Sequence, residues 1–427
     1  MEVQSLLQNL IKSDPQNIKS LQLKTGQIIK GQVLELINEQ LAVVSIRGIR
    51  LIAKNEVPLK KGQKAWFMVT ARDHEITKLK LIHISNPTNP KDHSLPIDDL
   101  LKTLQLKNSS QNRNLIFSLI EKQIPVKKET ILAIEQYLQK TKENMTDVIH
   151  AVDILNDLDL PITASHIRSL VEFFDGQDLP KRLSILRQQI KNEIKHFQDQ
   201  RGIFEDTSTS LKEIVEQIDD VLRSYSFPNE KIEGKDLLLS IKKYLEYIGA
   251  NSNSYPTLKQ HLQSLLGMKD KLPDPLTSTL ESLVFHLHGQ QLTLQPDTNH
   301  FTHLFLQFPN FIRFSEEPIY VQIHSKKKGN QTIDMNDVRL VFLFQFPNLG
   351  DTIIHIHLLQ RQMIVWLYND HPSIHEIIKT IGSRFEEFIK REGYKTSGIQ
   401  IRSLKELKGK ESFLSSPTPY QGVDLRI

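Results

Sequence analysis

The spacing of apolar residues changes twice along this chain, and those changes limit what it can fold into. Between Leu23 and Ile84 apolar residues alternate or cluster in five short runs, at 27–37, 41–46, 49–53, 64–70 and 76–82. From Leu95 to about Leu287 they recur at helical spacing, as in Leu211, Ile214, Val215, Ile218, Val221 and Leu222. Short apolar runs then return at 301–308, 319–324, 338–346, 352–359 and 363–368. A period of two puts alternate side chains on one face of a strand, whereas 3.6 lines up one stripe of a helix. A chain of 427 residues that switches period in this way predicts several domains.

The predicted fold class is multidomain α+β. It comprises a small five-stranded β-barrel of OB or SH3-like kind, a central all-α region with helix–turn–helix repeats, and a C-terminal sheet-plus-helix α+β domain. The expected boundaries are an N-terminal helix over 1–20, the barrel over 21–86 and a linker over 87–96, where Asn, Pro and Ser break every period. The helical region follows over 97–287, the C-terminal domain over 288–407 and a flexible tail over 408–427.

The barrel raises the question of nucleic acid. OB-type binding interleaves aromatic platforms with basic residues, and the barrel offers only Trp66 and Phe67. These neighbours in a strand point to opposite faces, so at most one can line a binding surface. The net charge of +4 over the whole chain is also close to balanced. The barrel therefore reads as a structural or protein-contact module, with nucleic acid the less favoured partner.

In the helical region a segment repeats. Leu119–Ile131 recurs 36 residues later as Leu155–Ile167, each with an apolar-Pro-apolar corner, Ile124-Pro125-Val126 and Leu160-Pro161-Ile162. Proline stops the first helix. Thr163 is placed to cap the next helix, and Lys127, its counterpart, is not.

In the C-terminal third, a helix is predicted from a capping box, Ser373 with Glu376, and an apolar stripe of Ile374, Ile377, Ile378, Ile381, Phe385, Phe388 and Ile389. Gly393 supplies its stop, and 397–404 reads as a final strand. Ile381 and Phe385 are expected to be buried.

The run Arg339–Ile356, with Leu349-Gly350 between two apolar strands, is followed by a third strand, a long helix ending in Gly393-Tyr394, and a strand. In this order it resembles the C-terminal domain of flagellar hook-length control proteins (FliK-type), as a divergent Gram-positive member or paralogue. The resemblance implies a non-enzymatic interaction factor that contacts the type III export-gate switch protein and changes export specificity. Leu349 and Gly350 are then a structural corner. The alternative is an OB-barrel nucleic-acid-binding protein with helical repeats. Val423, Leu425 and Ile427 alternate in the tail and are the candidate partner contacts, adding a strand to a sheet edge.

Catalytic patterns are missing. There is no cysteine, no phosphate-cradling glycine loop, no H-E-x-x-H and no G-x-S-x-G. His286 with His288 and His355 with His357 are spaced to share a strand face, and solvent-facing histidine is the reading for the second pair. No metal, cofactor or catalytic residue is expected. Lys326-Lys327-Lys328-Gly329 reads as a hairpin loop. No run approaches the ~20 apolar residues of a membrane span, and no signal-like start is seen, so the expected location is cytoplasmic, with passage through the flagellar export apparatus implied by the resemblance.

Overall fold

The computed structural model describes residues 23–37, 41–46, 49–55, 59–73, 76–84, 95, 97–175, 179–199, 205–224, 234–247, 258–294, 301–309, 318–328 and 332–408. The expected N-terminal helix, the linker (apart from Leu95), the tail (apart from Lys408) and the contact candidates Val423, Leu425 and Ile427 lie outside them. Contacts divide the chain into two compact units, with the division between Ile167 and Arg168.

The first unit opens with β1 (Ile28–Leu36), β2 (Leu41–Ile46), β3 (Ile49–Asn55), β4 (Lys64–Asp73) and β5 (Ile76–Ile84). They close into a barrel in the order β1-β2-β3-β5-β4, with β4 returning to β1 and β3 running parallel to β5. Alternation decides the interior: Val33, Ala42, Val44, Ala53, Ala65, Phe67, Val69 and Leu79 are buried and form one core. Closure leaves no free strand edge in the barrel.

Among the described residues, four helices follow in this unit: α1 (Ile97–Thr103), α2 (Ser110–Glu121), α3 (Lys128–Leu138) and α4 (Met145–Asp157). The division falls inside the next helix, α5 (Ala164–Phe174). The sequence repeat is a repeat of helix ends. At α2 the N–H of Ile124 bonds to Leu119 O and that of Gln123 to Ile120 O; at α4 Leu160 bonds to Leu155 O and Asp159 to Asn156 O. Gln123 and Asp159 both sit in the left-handed region, at φ 60° and 55°. These are Schellman ends made without glycine. Thr163 accepts from His166 N–H at 3.1 Å, and Lys127 makes no capping bond, as their chemistry dictates.

The two corners hold the start of the barrel. Val126 N–H bonds to Gly26 O at 2.8 Å, and Lys24 reaches Asn156 O and, at 3.6 Å, Asp159. Gly26 has φ +90°, and a Cβ there would stand 2.9 Å from Lys127 Cγ. Only glycine fits this approach.

The second unit contains α6 (Leu179–Asp199), α7 (Glu205–Ser224), α8 (Gly234–Tyr247), α9 (Leu258–Leu266) and α10 (Asp274–Leu292). It also holds β6 (Phe301–Phe308), β7 (Ile319–Lys328), β8 (Thr332–Phe346), β9 (Gly350–Leu359) and β10 (Gln362–Tyr368), then α11 (Ile374–Arg391), β11 (Lys395–Arg402) and α12 (Lys405–Lys408). The sheet order is β11-β10-β9-β8-β7-β6, antiparallel except for β10 with β11. Its apolar face shares a core with the helices: Leu306, Phe308, Ile319 and Val321 pack in one cluster with Leu186, Ile218, Leu276, Leu283 and Leu287. Compactness therefore follows a different line from the change of period at residue 287, and α10 runs past it to Leu292.

Several expectations are corrected. Ser373 does not cap α11: its backbone is already helical (φ −81°, ψ 0°), which turns its hydroxyl away from the free N–H groups, and no side-chain cap bond forms. Along the stripe of α11 only Ile374 and Ile389 are buried, Ile378 and Phe385 are half-buried, and Ile381 is 44% exposed. Lys326–Lys328 belong to the end of β7 rather than to a loop. Gly350 starts β9 at φ +68° with open space around the position of a Cβ. The corner needs glycine for its backbone conformation. Asn369 Nδ2 pins it, donating to Leu349 O at 3.0 Å, Asp351 O at 3.2 Å and Thr352 Oγ1 at 2.8 Å.

Candidate nucleic-acid interface

Every second residue of a barrel strand faces outward, and here those positions concentrate cations. Inward Thr77 and Leu79 are buried, so Lys78 and Lys80 stand on the outer face of β5. Across the parallel pairing Lys54 of β3 lies beside Lys78, and across the antiparallel pairing Met68 of β4 lies beside Lys80. Further along, a register shift between Trp66 and Phe67 sets Trp66 against His83, and Trp66 pairs on its other side with Lys30 of β1. A bulge of this kind re-aims the side chain next to it.

The aromatic pair resolves as its adjacency requires. Phe67 is fully buried in the core, and Trp66 faces out, half-buried, with the Lys30 ammonium 5.6 Å from its ring centroid. Trp66 Nε1 is shielded from solvent and has no hydrogen-bond partner. On the β2–β3 side, Val43 opposes Ile52, which is 38% exposed, and Ser45 opposes exposed Arg50. The result is one outer surface that runs from Arg50 and Lys54 through Lys78 and Lys80 to His83, Trp66 and Lys30. It has aliphatic ground at one end and a tryptophan at the other.

The charge is local. Between residues 21 and 86 eleven Lys and Arg stand against five Asp and Glu, an excess larger than the +4 of the whole chain. Chain-wide composition hides this, because the remaining residues carry a net negative charge. Pattern reading missed the surface because it is assembled by β3 and β5, which are not consecutive. Lysines spaced by two in a strand were the signal available.

Elsewhere the histidine pairs and the adjacent carboxylates Asp219 and Asp220 have partners within the fold. His286 and His288 lie on α10, where two residues turn the helix about 200°, so they do not share a face. His286 Nδ1 is 3.1 Å from Glu172 O, and His288 Nδ1 is 3.2 Å from Ser169 Oγ. Burial, with the Arg182 charge adding to it, holds the His286 imidazole down at about 3. His355 and His357 do share a face of β9, but that face is covered: His355 is 7% exposed and lies 4.9 Å from the Trp366 ring centroid. The solvent-facing reading fails because both faces of β9 are at least partly buried. Burial, then Arg339, hold His355 at about 3 as well. His357 Nε2 is 3.0 Å from Asp337. The adjacent carboxylates Asp219 and Asp220 pair with different arginines, Arg187 and Arg223. Among the described residues no cluster could hold a metal ion, and no helix is long and apolar enough to cross a membrane.

One comparison falls on this part of the chain. The TP0910 S1-like domain matches residues 3–77, most of the barrel. A Bacillus subtilis (strain 168) protein, described as the uncharacterized protein YlqG, is 24% identical over 211 residues, 49% of this chain and 36% of that protein. The match thus spans little more than a third of that relative's length.

Proposed function

We propose that this protein binds single-stranded nucleic acid through the outer face of its barrel, without catalysis and without strong sequence preference. The observation that carries the reading is the continuous outer surface of Lys54, Lys78, Lys80, Trp66 and Lys30 on a five-stranded OB-type barrel. Lysines track the phosphate backbone, and one tryptophan offers a stacking platform that accepts any base. The S1-like match over residues 3–77 supports the same assignment. The test is the salt dependence of binding to a labelled oligouridine, with the DNA counterpart and a duplex as comparison arms. Four lysine–phosphate contacts on a single strand predict a slope of log affinity against log salt of about −3. Binding that ignores salt, or no binding at low salt, overturns the proposal.

A second reading attaches to the C-terminal sheet. The resemblance to hook-length control domains rests on the succession of β8, the Leu349-Gly350 corner, β9, β10, α11 ending at Gly393-Tyr394, and β11. On that reading this unit contacts an export-gate switch protein, and the two functions reside on different units of the chain.

A further inference from the structure

The basic surface ends against an acidic residue. Asp99, in the first turn of α1, places Oδ2 3.0 Å from His83 Nδ1, and His83 is the residue that pairs with Trp66. Its neighbour Asp98 turns the other way and pairs with Arg113, which holds its carboxyl below the usual range. The two adjacent carboxylates therefore divide their work: one is neutralised within the helices and the other faces the barrel. Asp99 is held there firmly, because Leu100 and Leu101 beside it are buried. The contact itself is open to water, with side chains 34% and 40% exposed. A carboxylate–imidazole pair this exposed is weakly held and easily exchanged.

We infer that Asp99 is a built-in competitor for the Trp66–His83 end of the interface: it occupies the place of a phosphate and must give it up when nucleic acid binds. This rests on the nucleic-acid reading. A strand that follows Lys54, Lys78 and Lys80 along β5 reaches Trp66 where His83 is already engaged by Asp99, so its phosphate must displace that carboxylate to use the imidazole. The device restrains affinity at the aromatic end and leaves the lysines at the other end open. His83 donates to Asp99 in the free protein and to a phosphate oxygen in the complex.

The test measures binding of a fluorescein-labelled oligouridine to the full chain by anisotropy. It compares the wild type with Asp99→Asn, Asp98→Asn, His83→Ala and the His83→Ala/Asp99→Asn pair. Asp99→Asn should tighten binding about five-fold, the scale of one exposed charge contact. Asp98→Asn should change it less than about two-fold, since its charge is already paired. In the His83→Ala background, Asp99→Asn should have no further effect. An equal gain from Asp98→Asn, or a full gain from Asp99→Asn without His83, reduces the effect to general electrostatics and overturns the inference while leaving the binding function intact. Binding seen only with Asp99→Asn supports both. If neither the wild type nor Asp99→Asn binds at low salt, the nucleic-acid reading falls and the inference with it.

Discussion

His286 and His355 show how much one buried ring can tie the second unit to pH. In the unfolded chain each histidine takes up a proton below its ordinary value of 6.5, whereas burial keeps the folded ring neutral down to about 3. Between those values the unfolded state binds more protons, so stability present above pH 6.5 is lost as the pH falls toward 3. Denaturant melts from pH 7.5 to pH 4 should show a steady drop in the stability of this unit. Replacing either ring, as in His286→Gln or His355→Gln, should flatten that slope even if the variant is less stable throughout. An unchanged slope would mean the ring is not buried neutral. At this scale the sequence was only partly legible. Trp66 outside and Phe67 inside follow from adjacency in a strand, but burial of His355 depends on what covers a sheet, which alternation does not encode. Ser373 likewise has the right type and spacing for a cap, yet its backbone conformation decides the matter.

Among the elements, α11 departs furthest from its pattern. Its apolar stripe is wide, and the fold uses only part of it: Ile374 and Ile389 at the ends are buried, and Ile377, Ile381 and Phe388 are exposed. Ile389→Ala should therefore cost roughly 2–5 kcal/mol, as for other large-to-small core changes. Ile381→Ala should cost under about 0.5 kcal/mol, as at a surface position. Urea titration of both variants tests this, and similar losses at the two positions would show that the stripe is buried along its length. Periodicity reports which side of a helix is apolar, not how much of that side meets a neighbour. Strands were more legible. β2 falls on its predicted span, because a strand with one face in a barrel core must alternate strictly. The helix repeat was legible too, since the Pro corners and left-handed helix ends recur at one offset.

For the molecule as a whole, the sequence marks out three regions by period and the fold gathers them into two units. Helices α6 to α10 share a core with the sheet, and the first helices share a unit with the barrel. Packing across elements of different period is invisible to a reading that works one period at a time. The basic surface was hidden for a related reason: Lys54 and Lys78 are far apart in sequence and meet only through the parallel β3–β5 pairing. The same pairing gives the central claim its most direct test, the affinity of the Lys54→Glu/Lys78→Glu variant for oligouridine, measured beside the wild type and with its melt checked. Both lysines are exposed, so the barrel should stay folded. The account predicts a loss of at least ten-fold in affinity and a salt slope shallower by about 1.4, two phosphate contacts on a single strand. A folded variant that binds as tightly as the wild type, with the same salt slope, would contradict it.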